Sequence, residues 1–139
     1  MTARSIATGS RRSERGFTLI ELMVVMTIIV TLATIAMVQY RQSVLMARES
    51  VLKDDLFKLR DAIDQYYADK TQYPATLDDL VTAGYLRSLP KDPITNSTDS
   101  WQSVPAEPDP NNPSVAAGIY DVKSGSDQTA MDGSRYNDW

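Results

Sequence analysis

Hydrophobic residues are laid out along this chain in two unlike patterns. From Phe17 to Tyr40 the run FTLIELMVVMTIIVTLATIAMVQY is apolar almost throughout, with Glu21 as its one charged residue. Roughly 20 apolar residues carry a helix across a bilayer, so this run predicts a membrane-spanning helix. Beyond Arg41 the pattern turns from solid to striped. Leu52, Leu56, Leu59, Ile63 and Tyr66 recur at alternating intervals of four and three, while Lys53, Asp54, Asp55, Lys58, Arg60, Asp61 and Asp64 fill the other faces. This is the apolar face of an amphipathic helix. Beyond Arg41 no glycine or proline interrupts the chain before Pro74, so one continuous helix is predicted from Phe17 to about Lys70. The stripe has the form of a coiled-coil seam, but it is too short for several heptads. Packing onto the chain's own C-terminal part is the expectation.

Tyr73-Pro74 is the predicted helix stop. Thr76 then reads as an N-cap with Asp79 three residues on, Leu77, Leu80 and Val81 give a short apolar face, and Gly84 suits the C-terminal end. Tyr85 to Pro93 is a crossing constrained by two prolines. Residues 101–104 and 119–122 predict two short strands, separated by a proline-rich polar loop over 105–114. The last stretch, Ser124 to Trp139, is rich in Asp, Gly and Ser, and Trp139 is expected to anchor it on the core. The predicted class is α+β: a long N-terminal helix packed on a small C-terminal domain with a short antiparallel sheet. The divisions fall at 1–16, 17–40, 41–71 and 72–139.

Charge sharpens this picture. The chain has 139 residues and a net charge of −4. Arg4, Arg11, Arg12 and Arg15 against Glu14 give the first sixteen residues +3, leaving −7 for the rest. A basic end before an apolar helix is retained in the cytoplasm, so the acidic body should be exported. An acidic body without a basic stripe excludes nucleic acid as an expected partner. Neither cysteine nor histidine is present. That removes disulfides, thiol chemistry, the usual zinc sites and a Ser-His-Asp triad, and the chain is expected not to be an enzyme. Oxygen ligands for a hard cation remain plentiful.

Glu21 demands an explanation, because a carboxylate inside a membrane helix costs a few kcal/mol when unpaired. It has one ordinary solution, which is to sit at the headgroup boundary and reach water. Its neighbours suggest another. Gly16-Phe17-Thr18-Leu19-Ile20-Glu21 resembles the processing site of type IV prepilins and type II secretion pseudopilins. The resemblance implies that a membrane peptidase cuts after Gly16 and that the new terminus on Phe17 is methylated. The leader is then lost ahead of the apolar run, and the helix stays as an anchor. Gly16 leaves the backbone open to the protease. The new ammonium on Phe17 would meet Glu21 one helical turn along, in its own chain or in a neighbouring subunit, fixing register more than adding stability.

A finer resemblance lies further on. YPATLDDLVTAGYLRSLPKDP and GIYDVKSGSDQTAMDGSRYNDW look like the major, G-type pseudopilins, with a pilin-like fold. Val38 departs from the proline that many relatives carry late in the apolar helix. The likeness implies a structural subunit of a periplasmic secretion filament. Its partners would be copies of itself, the prepilin peptidase, minor pseudopilins, an inner-membrane assembly platform and, before assembly, membrane lipid. It implies a single-pass inner-membrane protein with the leader in the cytoplasm and the C-terminal domain in the periplasm. A type IV pilin for adhesion, motility or DNA uptake uses the same assembly chemistry and stays open. The missing cysteines favour the pseudopilin over pilins closed by a disulfide. Finally, Asp127, Asp132 and Asp138 alternate with Ser124, Ser126, Asn137 and glycines. Spacing alone reads equally as a solvated acidic turn. The resemblance implies calcium in this loop, with Asp127, Asp132, Asp138 and Ser124 as candidate ligands.

Overall fold

A computed structural model describes Thr2, residues 16–113 and residues 117–139. The basic leader segment 3–15 and the end of the proline-rich loop at Ser114 lie outside the described residues. The chain divides into two compact units, Met1–Tyr40 and Arg41–Trp139.

Helix α1 spans Leu19–Lys70. In the first unit every described helical side chain is exposed, and the mean hydropathy of the segment reaches 2.4. It is long and apolar enough to cross a membrane. Three threonines interrupt the aliphatic run without leaving a hydroxyl unsatisfied. Thr27, Thr31 and Thr34 donate to the carbonyls of Met23, Thr27 and Val30, each at 2.8 Å. Polar groups satisfied within their own helix are compatible with lipid.

In the second unit the predicted stripe is the buried one. Leu52, Leu56, Leu59, Ala62, Ile63 and Tyr66 of α1 form one cluster with Leu80, Trp101, Ile119, Val122, Ala130 and Tyr136. Leu52, Leu59, Ile63, Leu80 and Val122 are wholly inaccessible. Burial of each such side chain contributes on the order of 2 kcal/mol, so the stripe is the main attachment of helix to domain.

α1 ends at Lys70, where its end was predicted, just before Tyr73-Pro74. Thr71 takes a left-handed conformation, φ +54°, and its amide donates to the Tyr67 carbonyl at 2.8 Å. Stacking of Tyr67 on Tyr73, with ring centroids 4.4 Å apart, holds this reversal. Helix α2, Leu77–Thr82, begins as predicted at Thr76, whose amide donates to Asp79 Oδ2 at 2.9 Å. Gly84 closes it at φ +86°, with its amide on the Val81 carbonyl. Strands β1, Gln102–Pro105, and β2, Ile119–Lys123, form the antiparallel sheet. Pairing steps from Val104↔Asp121 to Pro105↔Ile119, so Tyr120 is an extra, bulged residue and stands exposed. A 3-10 turn, Tyr136–Asp138, ends the chain's folded part. Trp139 packs edge-on against the buried Tyr136 at 5.2 Å, the predicted anchoring of the terminal tryptophan.

Candidate functional site

The motif at Gly16 and Phe17 immediately precedes α1. Nothing lies within 4 Å of where a Cβ on Gly16 would stand, and Phe17 is 84% exposed. The backbone there is open to an approaching protein. Thr18 is the residue that starts the helix. Its carbonyl accepts from the Leu22 amide at 3.1 Å, and its Oγ1 accepts from the Glu21 amide at 3.3 Å. Glu21 therefore occupies the third helical position, the acidic partner in a Thr-x-x-Glu cap, and lies exposed in the first turn. A carboxylate there complements the positive end of the helix dipole. The role of Thr18 was missed in reading the sequence, although the pattern Thr18-Leu19-Ile20-Glu21 carries the signal.

The C-terminal loop is arranged differently from expectation. Asp127, Asp132 and Asp138 are all exposed, and among the described residues no group of three or more acidic side chains is placed to hold a metal ion. Asp132 Oδ1 is engaged within its own turn, accepting from the Ser134 amide at 2.9 Å and hydroxyl at 2.6 Å. These bonds hold its carboxyl below the usual carboxylate range. Ser124 is fully buried, and its hydroxyl donates to Asp92 Oδ2 at 2.5 Å. As placed, the four candidate ligands do not form a cation cage. One neighbour is unsatisfied: Asn137 Oδ1 is buried and meets no donor.

Three acidic and basic residues that sequence reading passed over hold this loop. Asp92 is wholly buried, and besides Ser124 its side chain accepts from the amides of Ile94 at 2.8 Å and Thr95 at 3.4 Å. On α1, Glu49 Oε1 accepts from the Met131 amide and the Tyr136 hydroxyl, both at 2.8 Å. Burial and this carboxylate push the Tyr136 phenol up to about 12. Arg60 reaches from the same helix to three groups. Its Nε donates to Asp121 Oδ1 at 2.6 Å, and its Nη2 to the carbonyls of Val122 at 3.0 Å and Trp139 at 2.9 Å. The chemistry of these contacts is adhesion of a loop to a helix. Their partners lie far along the chain, so no local pattern announces them.

Comparison with known proteins bears on the N-terminal motif first. Residues 11–37 match the family described as the prokaryotic N-terminal methylation motif. The chain is 36% identical to the type II secretion system core protein G of Pseudomonas aeruginosa, covering 62% of this chain and 72% of that protein. It is 34% identical to the protein of the same name from Klebsiella michiganensis, over 60% of this chain and 70% of that one. The Escherichia coli K12 protein is also 34% identical, over 61% and 68%. No solved structure matches. With a methylation motif opening an apolar helix, a pilin-like α+β domain behind it and these relatives, the chain belongs to the type II secretion system core protein G family, the major pseudopilins.

Proposed function

We propose that this chain is the repeating subunit of a periplasmic pseudopilus that drives protein export. In this reading the prepilin peptidase cuts after Gly16 and Phe17 becomes the methylated terminus. The apolar part of α1 holds the subunit in the inner membrane, with the acidic domain on the periplasmic side, until it is extracted into the filament. Copies of the chain then stack on the assembly platform together with minor pseudopilins, and the role is structural. The observation that carries the reading is the register at the start of α1: an open Gly16-Phe17 bond, a Thr18 cap, Glu21 in the first turn and an apolar span directly after.

Deleting the gene should leave exoproteins trapped in the periplasm, and supplying the chain in trans should return them to the medium. Immunoblots of both fractions measure this. Undisturbed export together with lost surface pili would instead identify a type IV pilin.

Calcium in the C-terminal loop belongs to the same proposal. Its support is the resemblance and the orphaned acceptor on Asn137. The carboxylates of Asp127, Asp132 and Asp138 would have to turn inward, and Ser124 would have to leave Asp92 to contribute its hydroxyl. Binding at a hundredfold excess over Kd stabilises a domain by about 2.7 kcal/mol. The unit Arg41–Trp139 is therefore expected to melt several degrees higher in calcium than in chelator. Identical melting curves would remove calcium from the account and leave the family assignment standing.

A further inference from the structure

Six basic residues lie on α1, and four of them are engaged within the Arg41–Trp139 unit. Lys58 pairs with Asp54 and Arg60 with Asp121. The ammonium groups of Lys53 and Lys70 lie over the rings of Trp139 and Tyr66, at 4.5 and 4.7 Å from their centres. Arg41 and Arg48 are the two that remain. Both are exposed, and neither forms an ion pair among the described residues.

They are also the two closest to the apolar run. Arg41 is the first residue after Tyr40. Arg48 follows about two helical turns later, some 10 Å along the axis and within roughly 20° of the same face. Leu45, 36% exposed, lies between them. No acidic residue occurs between Glu21 and Glu49, and Glu49 is turned to the Met131 amide and the Tyr136 hydroxyl. Residues 41–48 therefore hold a charge of +2, beside a remainder, 49–139, that carries −8.

We propose that Arg41 and Arg48 bind the phosphates of anionic lipid headgroups in the membrane leaflet on the exported side. The inference rests on the membrane-held stage of the function proposed above and names the lipid chemistry that stage would use. Distances along the helix fit. The apolar run fills a hydrocarbon layer about 30 Å thick, and the headgroup layer outside it is roughly 5–7 Å deep, so Arg41 enters that layer at its base. Arg48 starts further out, but side chains on a helix lean toward its N-terminus, which here is the membrane end. Its long stem lets the guanidinium reach back to the phosphates. A planar guanidinium fork matches phosphate oxygens in both geometry and charge. Topology does not account for the pair, because basic residues at the translocated end of a span oppose the orientation that the leader sets. The acidic remainder of the unit is repelled by an anionic surface, which confines the attraction to these two side chains.

The chain has no cysteine, so Leu45→Cys takes a single fluorophore between the two arginines. The full-length labelled chain is reconstituted in phosphatidylcholine vesicles. Quenching by phosphatidylglycerol bearing a nitroxide near its headgroup is compared with quenching by phosphatidylcholine bearing the same nitroxide. In the proposed topology the leader's own arginines lie across the bilayer from the label. The expected result at low salt is enrichment of the anionic lipid around the label by about fivefold for each arginine. Arg41→Gln or Arg48→Gln alone should lose about one such factor, and the two together should bring the lipids to parity. Arg41→Lys with Arg48→Lys should keep most of the enrichment, and high salt should weaken it. Parity in the parent overturns the proposal, as does enrichment that survives the double glutamine change. If the parent shows parity and the double glutamine chain also disappears from sheared filaments, the arginines serve an acidic surface of a second copy instead. A parent that alkaline carbonate strips from the vesicles is not held by its helix. That result fails the membrane stage itself and takes the proposal with it.

Discussion

Glu21→Ala yields a chain that is cleaved and inserted as well as the parent but is nearly absent from sheared filaments. Removing a carboxylate from the membrane segment relieves an insertion cost of a few kcal/mol, so membrane-bound protein should hold or rise. Assembly moves the other way. In the proposed subunit, the ammonium that cleavage would leave on Phe17 would sit one turn from position 21 and enter a filament core with little water. Taking away one partner of a buried pair costs about 3–5 kcal/mol, because the other charge is left uncompensated. That is a hundredfold or more in the association constant at each subunit contact. Thr18→Ala separates this role from helix capping, since it removes the hydroxyl that accepts from the Glu21 amide and leaves the charge. Its cost is about 1 kcal/mol, and filaments should persist. Filament yield beside total membrane-bound protein reads both variants. Normal filaments from Glu21→Ala would refute the register role.

Gly125→Ala should be the most damaging single methyl group in the soluble unit. A Cβ there would stand 1.9 Å from the Ser100 carbonyl oxygen and 2.9 Å from its carbon, and both are backbone atoms. Neither side can yield freely. Ser124 and Ser126 flank the glycine and are buried, and Ser124 is tied to Asp92. The expected loss is about 3 kcal/mol or more, a drop of over 10 °C in a domain of this size. Gly133→Ala provides the contrast. Gly133 has φ +88° but open space where its Cβ would go, so strain alone applies, at about 1–2 kcal/mol. Thermal unfolding of the Arg41–Trp139 unit measures both. Equal shifts would contradict the close packing of loop against loop.

What could be read in the sequence was what repeats or caps locally. The four-and-three spacing of Leu52, Leu56, Leu59, Ile63 and Tyr66 predicted the buried face, because a helix must turn its apolar residues to one side. Thr76 with Asp79 and Gly84 marked both ends of α2 in the same way. The end of α1 near Lys70 was predicted, but the left-handed turn at Thr71 beside the Tyr67–Tyr73 stack was not, because β-branched residues seldom adopt that conformation. The clasps of Glu49, Arg60 and Asp92 were out of reach for a different reason. Each joins residues remote in sequence, and an isolated charge on a helix reads as solvated until its partner is placed. In the loop after Ser124, the same acids and hydroxyls satisfy one another or gather round an ion. Composition does not distinguish those two outcomes. Asp132 turns to Ser134 within its own loop, whereas Ser124 turns to Asp92, a residue remote in sequence.

The central claim is that Gly16-Phe17 is the junction at which this chain becomes a filament subunit. Intact-mass and N-terminal peptide mass spectrometry of membrane fractions, from cells with and without the prepilin peptidase, tests it directly. With the peptidase present, the account predicts a chain that has lost Met1–Gly16 and begins at Phe17 with one added methyl group. Without the peptidase the full-length chain should persist. A mature chain that keeps its leader in the presence of the peptidase, or one cut beyond Tyr40 with the apolar helix lost, would contradict it.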